Sequence, residues 1–344
     1  MKKIFFIPFI LFSIFSHAQD RLKSLDTLIA KNQTTLAGGG GGVTVILVKD
    51  GKTIYSRSLG NFSPDKAIPI ASASKWYAGV LLMTLVHDKK VSLSDKVSKY
   101  IPSFKGGDKK NITVGQCFAM TSGLPGGSEE VDEFMADRSQ TMAEMVDKIA
   151  KTPLVATPGK QLNYGGLGMQ VAGRVCEIVG GKDWNTLFTE RVVTPLGLKH
   201  TFYAGFYRKL APRIAGGVVS CASDYLHLLQ MLANKGTFNG KVVLSHAEVE
   251  YMLSDQTGKA TIGYSPFTKY KTKLDIKLDA RYGVGNWVIS ENEIEINTSP
   301  GAFGFTPWID RKRGYYGVIA VRNSFPKVMP IFWQMLKVID TAVQ

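Results

Sequence analysis

The chain has 344 residues, of which 44% are hydrophobic, 20% charged and 10% aromatic, values that exclude a disordered, collagen-like or coiled-coil chain. Lys plus Arg number 42 against 28 Asp plus Glu. That balance suits weak attraction to anionic envelope polymers, but the basic residues are scattered and no Lys/Arg block is interleaved with aromatics, so a solvated surface is expected and no nucleic-acid partner.

Lys2 and Lys3 precede an apolar run from Ile4 to Phe15, and Ser16-His17-Ala18 follows. This is the pattern of a secretory signal with a small-residue cleavage site, and the run is too short to span a bilayer. Residues 1–18 are therefore expected to be a signal peptide, leaving an exported, periplasmic or secreted protein with no integral membrane segment. Leu22, Leu25, Leu28, Ile29 and Leu36 then follow at helical spacing, and Gly38 to Gly42 end the helix and read as a flexible hinge. No Gly-Lys-Ser/Thr follows them, so they are not a P-loop. VTVILVK at 43–49, Asp50-Gly51 and KTIYSRSL at 52–59 predict a β-hairpin with a type I′ turn.

From Trp76 to about Leu253 the period is helical. Thr141 with Glu144, and Ser245 with Glu248, form capping boxes at two helix starts. A polar, Lys-rich connector from Asp255 to Ala280 leads into strands at VGNWVIS, EIEINT, FGFTPWI and YYGVIAVR, and a last apolar helix runs from about Lys327 to Val343. Strands at both ends with helices between predict an α+β fold: an antiparallel sheet flanked by the N- and C-terminal helices, with an all-helical region inserted. The corresponding domains are 19–75 plus 255–344 for the sheet and 76–254 for the helices.

Cys117, Cys176 and Cys221 are odd in number, widely spaced and set in apolar contexts, which fits three buried structural cysteines. His87, His200, His227 and His246 lack metal spacing, and the chain contains no H-E-x-x-H, G-x-S-x-G or Walker motif, so no metal or cofactor is called for. Ser-x-x-Lys occurs at Ser63/Lys66, Ser72/Lys75 and Ser324/Lys327. Pro64 and Pro69 prevent a rigid helix at the first, and Ser324 reads as the cap of the final helix. Ser72 instead follows the extended AIPIA and opens a long apolar helix. There Ser72 and Lys75 share one helix face a turn apart, beside the unpaired N–H groups of the helix start, and burial of Lys75 would favour its neutral amine.

The stretches IASASKWYAGVLLMTLVHDKKVSLSDKVSKYIPSF, ITVGQCFAMTSGLPG, NYGGLGMQVAGRVCEIVGGKDW and AGGVVSCASDYLHLLQML together resemble the serine β-lactamase and penicillin-binding-protein superfamily, nearest the branch of class C β-lactamases, D-alanyl-D-alanine peptidases and family VIII carboxylesterases. The resemblance covers essentially the whole chain after the leader. It implies a β-lactamase-like fold, Ser72 as the acylated nucleophile, Lys75 as its partner, and Tyr164 of N-Y-G-G as the tyrosine of the family's Tyr-x-Asn motif. A neighbouring ammonium can shift a phenol toward phenolate, so Lys75 and Tyr164 form a candidate proton-transfer pair whose order of action the sequence leaves open. By the same resemblance, the backbone N–H groups of Ser72 and Ala302 form an oxyanion hole, with Gly301 permitting close approach of substrate.

Two positions depart from the family. Gly166 stands where Tyr-x-Asn has its amide, and Ser299 where the third motif has a cation or aromatic ring. With Gly301 these are the expected substrate-binding positions, and the loss of two polar partners weakens the usual grip on a β-lactam. The expectation is thus a secreted serine hydrolase acting on a small ester, amide or peptide. The alternatives are a β-lactamase or penicillin-binding D-alanyl-D-alanine peptidase acting on cell-wall peptide, or a non-catalytic binding protein on the same scaffold.

Overall fold

The computed structural model describes residues 22–127, 140–204, 211–268, 279–291 and 294–343. The expected leader and the Lys-rich centre of the connector lie outside the described residues.

The hairpin forms as its sequence predicts: β1 (Gly42–Lys49) pairs antiparallel with β2 (Lys52–Gly60). Asp50 and Gly51, at φ 50° and 72°, supply the two left-handed residues of a type I′ turn. The C-terminal strands β10 (Asp279–Tyr282), β11 (Trp287–Glu291), β12 (Ile294–Thr298), β13 (Thr306–Asp310) and β14 (Tyr315–Val321) complete a seven-stranded sheet of order β10-β11-β12-β13-β14-β1-β2. Its central strands are apolar on both faces because both are covered. Tyr55, Leu47, Gly317 and Trp308 fall in one row across the sheet. On that face Trp308 meets Phe332 of the last helix, Phe325–Val343, at 5.2 Å between ring centroids, and Tyr55 donates to Asp26 of the first helix at 2.6 Å. The helix Ala222–Ala233 packs on the opposite face against β14, β1 and β13.

The inserted region has the helices Met142–Ile149, Leu167–Gly180, Ala222–Ala233 and His246–Leu253, and the capping boxes at Thr141 and Ser245 both form. A third box, Thr113 with Gln116, starts the short helix Val114–Phe118. Three small sheets lie outside the main one. The first joins β3 (Ile68–Pro69), β5 (Phe202–Tyr203) and β6 (Val218–Ser220). β4 (Gln161–Asn163) pairs in parallel with β9 (Thr261–Tyr264), inside the segment expected to be a connector, and β7 (Thr237–Phe238) pairs with β8 (Lys241–Val242). All three cysteines are buried and free, and burial pushes the Cys117 thiol up to about 12.

The five-glycine run is a packed turn, not a hinge. A Cβ at Gly40 would lie 2.6 Å from Arg322, and one at Gly42 would lie 2.4 Å from the Leu59 carbonyl. These glycines let the chain leave the first helix pressed against the ends of β2 and β14, contacts that local sequence does not display.

Candidate active site

Sequence places Ser72 between an extended segment and a helix, and the structure adds how that junction is held. Ala71 has φ 46°, a left-handed conformation that costs a non-glycine residue about 1–3 kcal/mol unless its surroundings impose it. They do so through four bonds. The Ser74 hydroxyl donates to the Ala71 carbonyl at 2.6 Å and accepts from the Val218 N–H at 3.0 Å. The Ile70 N–H donates to Val218 at 3.0 Å, and the Tyr225 hydroxyl donates to the Ala73 carbonyl at 2.7 Å. The turn Ala71–Ala73 then feeds the helix Ser74–His87, which is buried almost throughout because its sequence is apolar on every face.

This junction presents Ser72 half-buried at the floor of a cavity of about 660 Å³. Lys75 is only 4% exposed. Its Nζ donates to Ser72 Oγ at 3.0 Å and to the Ala215 carbonyl at 2.9 Å, so the amine is aimed at the hydroxyl by a fixed acceptor on the β6 side. Gly285 is required behind it, since a Cβ there would sit 2.2 Å from the Lys75 carbonyl.

Tyr164 follows β4 and lines the same cavity. Its backbone is clamped on both sides: its N–H donates to the Tyr264 carbonyl at 2.9 Å, and its carbonyl accepts from Gly127 at 2.8 Å. Its ring stacks on Trp287 at 4.9 Å between centroids, and Lys75 Nζ lies 4.7 Å from its centroid, over the face of the ring. Burial holds the Tyr164 phenol well above its ordinary range, and hydrogen bonding to Ser72 and Trp287 opposes that only in part. The expected shift of Tyr164 toward phenolate by a neighbouring ammonium is thus opposed by the burial of its ring.

Ala302 is exposed at the cavity rim, and among the described residues neither its backbone N–H nor that of Ser72 donates to a protein acceptor. Two unused donors beside the hydroxyl are the requirement for an oxyanion hole. Gly166 lines the cavity as the residue before the helix Leu167–Gly180 and offers no side chain there.

Ser299 and Gly301 play different parts from those expected. Ser299 is 1% exposed and turned away from the cavity, and its hydroxyl donates to the Ser72 carbonyl at 3.0 Å. A Cβ at Gly301 would lie 2.2 Å from the Ile70 carbonyl. The close approach that Gly301 allows here is between two stretches of protein backbone. Both residues fasten the loop after β12 to the nucleophile turn.

Sequence reading missed Ala215, whose contribution is a carbonyl and has no side-chain signature, and Trp287 and Tyr264, which come from strands distant in sequence. It also missed Arg213, which lines the cavity a few residues before the quoted A-G-G-V-V-S stretch.

An antiparallel sheet with an inserted helical region, and a Ser-x-x-Lys helix start opening on the cavity with a tyrosine opposite, define a β-lactamase-like α+β protein. A family model described as Beta-lactamase matches residues 25–329, and the chain belongs to that family. It is similar to a Bacteroides dorei protein described as "putative beta-lactamase", with a TM-score of 0.79 and 27% identity over 94% of this chain and 98% of that one. It shares its fold with EstCE1, described as a hydrolase with promiscuous acyltransferase activity, at a TM-score of 0.75 and 18% identity over 96% and 99% of the two chains. A Salmonella typhimurium protein named "Putative D-alanyl-D-alanine carboxypeptidase" is 28% identical over 172 residues, 47% of this chain and 40% of that protein. The matches span about two fifths of the length of the first curated relatives.

Proposed function

We propose that the protein is an exported serine hydrolase that cleaves carboxylic esters through an acyl-enzyme on Ser72. The observation that carries this reading is the 3.0 Å contact between Lys75 Nζ and Ser72 Oγ at the floor of the cavity. A hydroxyl is a weak nucleophile until a base takes its proton. In this reading Lys75, whose Nζ lies 3.0 Å from Ser72 Oγ, takes the proton as Ser72 Oγ bonds to the carbonyl carbon. The carbonyl oxygen gathers negative charge against the Ser72 and Ala302 N–H groups. On collapse the bond to the leaving alkoxide breaks, and the Lys75/Tyr164 pair returns the proton to it as alcohol. Water then repeats the sequence on the acyl-enzyme and releases the acid.

The preference for esters rests on what the site lacks. No side chain at 166 can bind a substrate amide, and the Ser299 hydroxyl is already engaged with Ser72. A second reading, hydrolysis of a cell-wall peptide or β-lactam, is favoured by the likeness to a protein named as a D-alanyl-D-alanine carboxypeptidase. Covalent labelling separates the readings. A fluorophosphonate should label Ser72 and short-chain nitrophenyl esters should turn over, while fluorescent penicillin should form no adduct. Absence of fluorophosphonate label on folded protein would refute the acyl-enzyme. A penicillin adduct with no ester turnover would favour the peptidase. Export rests on the Lys2, Lys3 and Ile4–Phe15 pattern, and amino-terminal sequencing of the mature protein tests it: a start after Ala18 is expected.

A further inference from the structure

Proton return to a leaving alkoxide makes a demand that the contact between Ser72 and Lys75 does not meet. Once Tyr164 has given up its proton, negative charge stays on a phenolic oxygen whose ring is packed against Trp287 and Tyr282, and a charge so placed is costly without a fixed donor. Ser299 cannot supply one, because its hydroxyl donates to the Ser72 carbonyl.

Trp287 can. It opens β11, pairs with Tyr282 on one side and Thr298 on the other, and is almost fully buried. Its ring stands edge-on to Tyr282 at 4.8 Å and to Phe267 at 4.9 Å between centroids, and those two rings hold the face of the indole on Tyr164. The indole nitrogen is a donor only, and a buried one is ordinarily given an acceptor. Of the five tryptophans, Trp76, Trp184, Trp308 and Trp333 bury that N–H with no acceptor among the described residues. The Trp287 side chain, by contrast, is hydrogen-bonded to Tyr164.

We infer that Trp287 is a positioning residue for proton return: its ring fixes the Tyr164 ring and its N–H donates to the Tyr164 oxygen, which suits the site to esters of aliphatic alcohols. This rests on the Ser72 acyl-enzyme reading and deepens it. As the bond from the carbonyl carbon to the leaving oxygen breaks, its electron pair stays on that oxygen, and the Tyr164 proton moves there to give the alcohol. The Trp287 N–H meets the charge left on Tyr164. Lys75 then passes to Tyr164 the proton it took from Ser72, and both return to their starting forms. An aliphatic alkoxide must be protonated as it departs, whereas 4-nitrophenolate is stable without the proton and bypasses the step.

The test compares ethyl butyrate with 4-nitrophenyl butyrate, which share an acyl group, on the full chain. Trp287→Phe keeps a ring on Tyr164 and loses the N–H. It should lower kcat/KM for the ethyl ester at least about tenfold, the worth of one hydrogen bond to a charged group, and for the nitrophenyl ester less than about threefold. Equal losses on both esters, or no loss on either, would make Trp287 a packing residue and overturn the inference. In Tyr164→Phe, which has no oxygen to meet, adding Trp287→Phe should leave ethyl butyrate hydrolysis unchanged, and a further tenfold loss there also overturns it. A wild type that turns over the nitrophenyl ester but not the ethyl ester overturns the leaving-group class and leaves the hydrolase reading standing. Should folded wild type turn over neither ester, the hydrolase reading fails, and nuclear magnetic resonance judges Trp287 separately. The indole N–H signal that is missing from Trp287→Phe should shift in Tyr164→Phe more than the other indole signals do, and an unmoved signal refutes the bond.

Discussion

Gly301→Ala is the substitution in which fold and chemistry are most tightly joined. Its added Cβ would stand 2.2 Å from the Ile70 carbonyl oxygen and 3.1 Å from the carbonyl carbon. Both are backbone atoms of the segment that carries Ser72, so no side chain can swing aside. To reach ordinary contact the two segments must part by about 1 Å, and these segments hold the two proposed oxyanion donors, Ser72 and Ala302, where such a displacement costs about 10²-fold in rate. Overpacking of this kind costs about 1–3 kcal/mol of stability. Each kcal/mol lowers Tm by roughly 2–4 °C for a chain somewhat smaller than this one. Thermal unfolding and kcat/KM for a nitrophenyl ester should therefore fall together. Gly39→Ala, where an added Cβ meets nothing within 4 Å, should leave Tm in place and serves as the control. Lowered Tm with undiminished turnover would refute the oxyanion role of Ala302. Unchanged Tm would refute the contact itself.

The remaining expectations concern the proton carriers and one buried acid. Ser72→Ala should lose fluorophosphonate labelling, and both it and Lys75→Met should lose at least 10³-fold in kcat, read by ester hydrolysis on folded protein. Tyr164→Phe should cost about 10²–10⁴-fold. Because burial raises the Tyr164 phenol above its ordinary range, the wild-type pH–rate profile should show no Tyr164-dependent decline below about pH 10; such a decline near pH 8 would contradict the assignment. Glu177 is held above its ordinary value mainly by burial, so between its unfolded value and its higher folded one the native state binds the proton more tightly. Stability should therefore fall as pH rises through that window, and denaturant titrations should show the slope reduced in Glu177→Gln.

Ser72 and Lys75 were legible because their relation is local: three residues apart at a helix start, they need no tertiary contact to share a face. The hairpin turn was legible for the same reason, since Asp50-Gly51 encodes its own dihedral angles. What was misread depends on partners distant in the chain. The glycine run looks flexible until Arg322 and Leu59 are packed on it. The strand at Thr261–Tyr264 is exposed and polar in context, and only its partner Gln161–Asn163 makes it a strand. The phenol of Tyr164 carries no sequence mark of the Trp287 and Tyr282 rings that surround it.

The two departures from the family pattern bear differently on chemistry and on recognition. In the proposed mechanism, charge on the reacting carbonyl is met by backbone N–H groups, which persist whatever side chains stand at 166 and 299. Selection among substrates depends on side chains, and here both familiar positions are silent: Gly166 has none, and Ser299 spends its hydroxyl on the Ser72 carbonyl. Ser299 is also almost fully buried, so a lysine in its place would have to bury an ammonium or force the loop off the nucleophile turn. Packing at 299 thus excludes the cation that the family's third motif often supplies. The basic side chains that do line the cavity, Lys75 and Arg213, stand on other elements, the nucleophile helix and the segment before β6.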